Sequence, residues 1–339
     1  MSLRARLAVL VCSAAVTQIA ISCAATEAHA AVPVDSFVAG SYTRPDGDTL
    51  LYRLFVPVGY DPNGKFPLVV FLHGAGGSGT DNLAQLTDQE APFVFVQPEN
   101  QARWPVFMLA PQCPDMWTDF FASDPSGKGA QPPAPSWPIV SLMAVIDQLL
   151  TEYPGIDPDR LYITGLSYGG FGTWDAGVRY PRRWRAVVPV CGGYDETKIA
   201  PLVDMAVWAF HAADDDSVPV ERSRDVIAAL RALGGKPRYT EYPAEAHYGH
   251  ASWNPAYNDP QLLPWMFDEV PKMQAVGGQG GCACAAAPGG SGIGGGWQGK
   301  GAWTHFIGAW LVLLALASRP RPSCDRERPD AGRRGTSTE

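Results

Sequence analysis

A serine hydroxyl becomes a useful nucleophile only when a base takes its proton and an acid orients that base. The 339-residue sequence offers such a serine in Gly165-Leu166-Ser167-Tyr168-Gly169. An apolar, β-branched run, Leu161 to Thr164, leads into it, and the residues that follow suit a helix. In that setting G-x-S-x-G reads as a nucleophile elbow. The turn from strand to helix is so tight that positions two before and two after the serine tolerate almost no side chain. The bend holds the hydroxyl out from the backbone, and the helix offers its first N–H groups to a developing oxyanion.

An acid and then a histidine should follow Ser167 along the chain. The apolar run Met205 to Phe210 enters His211-Ala-Ala-Asp-Asp-Asp-Ser-Val-Pro219, and ligand-binding loops gather at the C-terminal ends of parallel strands. Asp214, Asp215 and Asp216 compete there for the acid. His247 and His250 compete for the base in Glu245-Ala-His-Tyr-Gly-His-Ala-Ser-Trp253, where Gly249 gives the loop freedom to return an imidazole over the serine.

A second glycine-rich loop, Leu72-His73-Gly74-Ala75-Gly76-Gly77-Ser78-Gly79, closes an earlier apolar run. Its glycines let backbone N–H groups approach a ligand, which implies the other half of an oxyanion hole. No Gly-Lys-Ser/Thr follows, so a Walker phosphate loop is excluded. The core sequence has no His-Glu-x-x-His and no His/Cys cluster, so no metal site is expected. His73 is expected to be a structural hydrogen-bonding residue.

The elements that must carry these residues alternate between strand and helix. Thr49 to Val58 reads as an early strand, and Phe66 to Leu72 is a near-continuous apolar run suited to a strand buried on both faces. Pro105 to Ala110 is similar and stops at Pro111. Pro138 opens a helical period through Leu150. Leu161 to Thr164, Trp184 to Val190, Met205 to Phe210 and Arg238 to Tyr242 give further strands, with a helix over Arg222 to Leu233. This alternation predicts a mostly parallel sheet covered by helices on both faces. Phe120 to Trp137 holds too many prolines and glycines for a regular element. It is read either as a loop over the site or as an idle excursion.

Both ends differ from the middle. Residues 1–30 carry Arg4 and Arg6, an apolar run from Leu7 to about Cys23, and Ala28-His-Ala30, the layout of a secretory signal cleaved before Ala31. Lipid attachment at Cys23 is the weaker alternative, since Ile21-Ser-Cys23 is a poor lipoprotein box. Residues 277–301 form a Gly-rich linker with Cys282 and Cys284, 302–318 a short apolar stretch with His305, and 319–339 a basic tail. This combination resembles C-terminal sorting tails of the MYXO-CTERM type, which implies attachment at the cell surface. The plain alternative is a simple membrane anchor.

The remaining residues 31–276 suit one large α/β domain and hold 17 Lys and Arg against 29 Asp and Glu. No basic stripe survives, which argues against a nucleic-acid partner. Cys113 and Cys191 are the domain's only cysteines. Export permits a bridge between them, and two separate core thiols are equally compatible.

With these residues in hand, the chain resembles the α/β-hydrolase superfamily, and within it the secreted esterase and predicted-peptidase branch near dienelactone hydrolases, polyhydroxybutyrate-depolymerase-like esterases and feruloyl esterases. The resemblance runs over roughly Leu51 to Trp265 and rests on Leu72 to Asn82, Ala110-Pro-Gln-Cys-Pro114, Arg160 to Tyr180, Val190-Cys-Gly-Gly193 and His250 to Tyr257. It implies an α/β-hydrolase fold. It places the acid of His-Gly-x-x-Asp-x-x-Val-Pro on Asp215, with Ala212 in place of the usual glycine, and the base of His-x-x-Trp on His250. The same match implies backbone N–H groups of Tyr168 and Ala75 as oxyanion donors, and no cofactor.

The activity so implied is hydrolysis of carboxylic esters through an acyl-serine, on small or polysaccharide-linked substrates. A peptidase of the same fold and a non-catalytic binding module are the alternatives. Trp104, Trp117 and Trp137 are read first as core and second as stacking surfaces for sugar or phenolic rings.

Overall fold

The computed structural model describes residues 32–118 and 131–271, which fall in the first of two compact units, Met1–Gly277. The expected signal at 1–30, the linker, apolar stretch and basic tail of 277–339, and residues 119–130 of the proline-rich loop lie outside the described residues. Among the described residues no helix is long and apolar enough to cross a membrane.

Among the described residues eight strands form one sheet: β1 (Phe37–Thr43), β2 (Thr49–Phe55), β3 (Phe66–Leu72), β4 (Phe107–Gln112), β5 (Ile156–Leu166), β6 (Ala186–Val190), β7 (Ala206–Ala212) and β8 (Arg238–Tyr242). Their spatial order is β1-β2-β4-β3-β5-β6-β7-β8. The β1/β2 and β2/β4 pairs are antiparallel, and every later pair is parallel. This is the α/β-hydrolase fold, mostly parallel as its sequence pattern predicts.

Alternation along a strand sends successive side chains to opposite faces, and β3 shows it. Leu68, Val70 and Leu72 join one core cluster, Val69 and Phe71 the other. The first cluster packs under α1 (Trp137–Glu152), α2 (Tyr168–Arg179) and α3 (Glu221–Ala232), through residues such as Leu142, Trp174 and Val226. The second takes Phe95 and, from the C-terminal segments, Tyr257, Leu262 and Met266.

Of the differences from the sequence reading, four are the most informative. β1 went unread because only Phe37 of its seven residues is buried. β2 ends at Phe55, short of Val58, which is 89% exposed. β5 starts five residues before Leu161, pairing Ile156 with Phe66. β4 runs through Pro111 to Gln112. Beyond Leu109 it pairs only with β2, so the missing proline N–H breaks no second ladder.

Cys113 and Cys191 are buried, form no disulfide with each other and lie in the two different clusters. Trp117 is fully buried, and its indole donates to the His73 carbonyl at 3.1 Å. Trp104 donates to Asp268 at 2.9 Å, and Trp137 packs against the first cluster. Trp117 is core, and Trp104 and Trp137 are partly exposed.

Candidate active site

The elbow is built from the close approach of β5 to β3. A Cβ on Gly165 would lie 2.6 Å from the Leu72 carbonyl oxygen, and one on Gly169 only 1.8 Å from it. Neither position admits a side chain. Between them Ser167 adopts φ 53°, ψ −118°, a strained conformation held where β5 turns into α2. Its amide is committed to the neighbouring strand, donating to the Val190 carbonyl at 3.0 Å and to Cys191 Sγ at 3.3 Å.

The imidazole arrives from the turn after β8. His250 Nδ1 lies 2.8 and 3.0 Å from the two oxygens of Asp215 and donates to that carboxylate. Its Nε2 is therefore left to accept from the Ser167 hydroxyl, 2.9 Å away. The run Ser167–His250–Asp215 is unbroken. His247 sits in the left-handed region at φ 55° and is exposed, away from this run. Of the aspartates, Asp216 is exposed and bonds only Ser217, and Asp214 faces neither histidine.

Asp215 is held from several sides. Its Oδ1 accepts from the N–H groups of Ser217 (3.0 Å) and Val218 (2.9 Å). Burial alone would raise its pKa, but the bonds from His211, His250 and Val218 outweigh burial and hold it well below the usual carboxylate range.

His211 is the participant that sequence reasoning passed over, treating it only as a landmark four residues before the acid. It is fully buried on β7. Its Nε2 lies 3.1 Å from Asp215 Oδ2 and 2.9 Å from the Val218 carbonyl. Both neighbours are acceptors, so Nε2 carries the hydrogen. Nδ1 lies 2.8 Å from Ser223 Oγ, which in turn donates to the Gly192 carbonyl at 3.0 Å.

The glycine loop faces the elbow. A Cβ on Gly74 would lie 3.6 Å from Ser167 Cβ, and Ala75 opens the short helical turn Ala75–Gly77 beside it. The Ala75 N–H has no partner among the described residues, and Tyr168 is the first residue of α2, so its N–H points out of that helix's N-terminal end. His73 pins this loop: Nδ1 donates to the Gly74 carbonyl at 2.7 Å and Nε2 accepts from the Cys113 N–H at 2.9 Å. Burial pulls its pKa down to about 4, against a smaller opposing effect of the Gly74 bond. It stays neutral and structural, as the sequence suggested.

Among the described residues one set of metal-type atoms, from Cys191, Asp215 and His250, comes together within 4.8 Å. Asp215 and His250 already bond each other there, and burial pushes the Cys191 thiol up, away from the thiolate a metal needs. The set fits a proton relay better than a cation.

With the geometry in place, a family model described as phospholipase/carboxylesterase matches residues 61–255, more than half of the chain. A Salmonella typhi protein described as a carboxymethylenebutenolidase is 30% identical over 114 residues, 31% of this chain and 42% of that protein. A Bacillus subtilis protein described as a peptidase is 26% identical over 141 residues, 31% of this chain and 21% of that one. The chain thus spans less than half the length of these curated relatives. Among solved structures, a thermostable esterase has a TM-score of 0.64 at 43% identity, covering 69% of this chain and 63% of that one. A ferulic acid esterase shares the fold at a TM-score of 0.50 and 17% identity, covering 68% and 97%.

Proposed function

The chain belongs to the phospholipase/carboxylesterase family, and from that membership we propose that it is a serine hydrolase of carboxylic esters. Ser167 is the nucleophile, His250 the base and Asp215 the residue that orients it. The observation that supports this reading most directly is the hydrogen-bonded run from Ser167 Oγ through His250 to Asp215, with spacings of 2.9 and 2.8 Å.

In the reaction, Ser167 Oγ attacks the ester carbonyl while its proton passes to His250 Nε2. The tetrahedral oxyanion takes hydrogen bonds from the Ala75 and Tyr168 N–H groups. Collapse breaks the acyl–oxygen bond, and Nε2 returns the proton to the departing alcohol. Water, deprotonated by the same nitrogen, then attacks the acyl-serine and releases the acid. Asp215, kept anionic by its donors, steadies the imidazolium in both halves.

The substrate is a small-molecule ester or an ester carried on a larger glycan or phenolic. The N-terminal and C-terminal segments support export and attachment at the cell surface.

Labelling with a fluorophosphonate tests the assignment. The wild type should react and Ser167→Ala should not. Labelling that persists in the variant moves the nucleophile elsewhere, and a wild type that never labels leaves a binding module. A panel of p-nitrophenyl, feruloyl and peptide substrates should give turnover on the esters; turnover on peptides alone replaces this reading with a peptidase.

A further inference from the structure

Gln112, at the end of β4, takes no part in the reaction above, yet it is buried and all its polar side-chain atoms are committed. Nε2 donates to the Gly77 carbonyl at 3.2 Å and to Asp81 Oδ1 at 2.7 Å, and Oε1 accepts from the Asn82 N–H at 2.6 Å. The amide can point only one way, because the Asn82 N–H demands an oxygen and the other two partners demand a nitrogen. Glycine at 79 makes room for it, since a Cβ there would lie 3.2 Å from Nε2.

The far side of this network is firm. Asp81 Oδ1 also accepts from the Leu83 and Ala84 N–H groups at 2.9 and 3.0 Å. Asn82 is tied to β2, donating from its side chain to the Tyr52 carbonyl at 3.1 Å and accepting at its own carbonyl from Arg53 Nε at 2.7 Å. Gln112 thus couples the glycine loop to the antiparallel part of the sheet.

What the coupling does follows from peptide geometry. The peptide unit that carries the Ala75 N–H also carries the Gly74 carbonyl, and a planar trans unit points the two in opposite directions. The Gly74 oxygen accepts from His73 Nδ1 at 2.7 Å and from the Gly77 N–H at 3.1 Å. Whatever fixes Gly77 therefore helps fix the direction of the Ala75 N–H. The Gly77 carbonyl is held by Gln112, whereas the loop's bonds to the Cys113 and Asp115 carbonyls begin farther on, at Gly79 and Ser78.

We propose that Gln112 is a positioning residue for the oxyanion hole: by holding Gly77 it aims the Ala75 N–H at the oxygen of the tetrahedral intermediate. The proposal rests on the ester-hydrolase reading above.

The test uses Gln112→Met, which keeps the length of the side chain and removes its hydrogen bonds, and Asp81→Ala, which removes the charged anchor of Gln112 from an exposed position. Both are assayed on p-nitrophenyl acetate, per site titrated with fluorophosphonate, with Tm measured beside the rates. A trifluoromethyl ketone gives the second readout. Ser167 Oγ adds to its carbonyl carbon, the hydroxyl proton passes to His250, and the carbonyl electron pair becomes an oxyanion lying in the hole. Gln112→Met should lower kcat about tenfold, part of the roughly 100-fold or more that loss of a whole oxyanion donor costs, with KM little changed. It should weaken the ketone by the same factor. Asp81→Ala should move both quantities in the same direction, by about threefold.

A kcat per site within twofold of wild type in both variants, a rise in KM alone, or a fall in kcat with ketone affinity unchanged would overturn the proposal. Should Gln112→Met fail to fold, Asp81→Ala decides by the same three criteria. A wild type inert on every ester and unlabelled by fluorophosphonate would instead remove the hydrolase reading beneath it.

Discussion

Replacing His211 with Phe should weaken the enzyme strongly but not silence it. The substitution keeps a ring of similar size in a fully buried site and deletes the Nε2–H that meets Asp215 Oδ2 at 3.1 Å. The carboxylate retains the Ser217 and Val218 N–H groups at 3.0 and 2.9 Å and His250 at 2.8 Å, so it stays in the site on three donors. A hydrogen bond to a charged acceptor contributes about 1.5–3 kcal/mol. Expressed wholly in the barrier, that is a loss in kcat of roughly 10- to 150-fold.

The assay is kcat on p-nitrophenyl acetate, with Tm measured beside it. His211→Gln, whose amide reaches toward the same oxygen, should recover part of the rate. A folded Phe variant with kcat within twofold of wild type refutes the reasoning, since the backbone donors would then suffice. Equal losses in Phe and Gln refute it too, because shape rather than a donated hydrogen would be at stake.

Gly169→Ala would set a Cβ 1.8 Å from the Leu72 carbonyl oxygen; a backbone clash of that size should cost about 3 kcal/mol or more, read as a fall in Tm together with lost activity, and an unchanged Tm would contradict it. His250→Ala should abolish turnover and His247→Ala should leave it near wild type, measured on the same ester; the opposite result would transfer the base to His247. Stability should decline on acidification because of His73, whose pKa is depressed from 6.5 to about 4. The unfolded chain takes its proton first, so this contribution is whole above pH 6.5 and is lost progressively as pH falls toward 4. It amounts to about 3 kcal/mol, measurable as a drop in the urea midpoint that a flat profile from pH 7 to 4 would refute.

The strands that carry the site announce themselves through apolar runs, because a strand covered on both faces has no polar side to blur the pattern. Phe66–Leu72, buried at six of its seven residues, falls where the pattern puts it. The elbow is equally legible, since contact with the Leu72 carbonyl leaves glycine alone at 165 and 169. β1 is not, being an outer antiparallel strand with six of its seven residues at least partly exposed. Which of Asp214, Asp215 and Asp216 faces inward depends on how the turn after β7 folds back, a matter of three neighbouring residues that periodicity cannot separate. His211 stayed hidden for a related reason. Its partners Ser223, Asp215 and Val218 come together only once α3 lies on the sheet.

The nucleophile and the base also rest on foundations of unequal strength. Ser167 hangs from the middle of the sheet, with β3 and β6 on either side of β5. His250 follows β8, the outermost strand, bonded to β7 alone and nowhere fully buried. Margins of a sheet fray before its centre does. Gentle heating should therefore detach the imidazole and switch catalysis off while most of the molecule still holds its shape, and cooling should switch it on again.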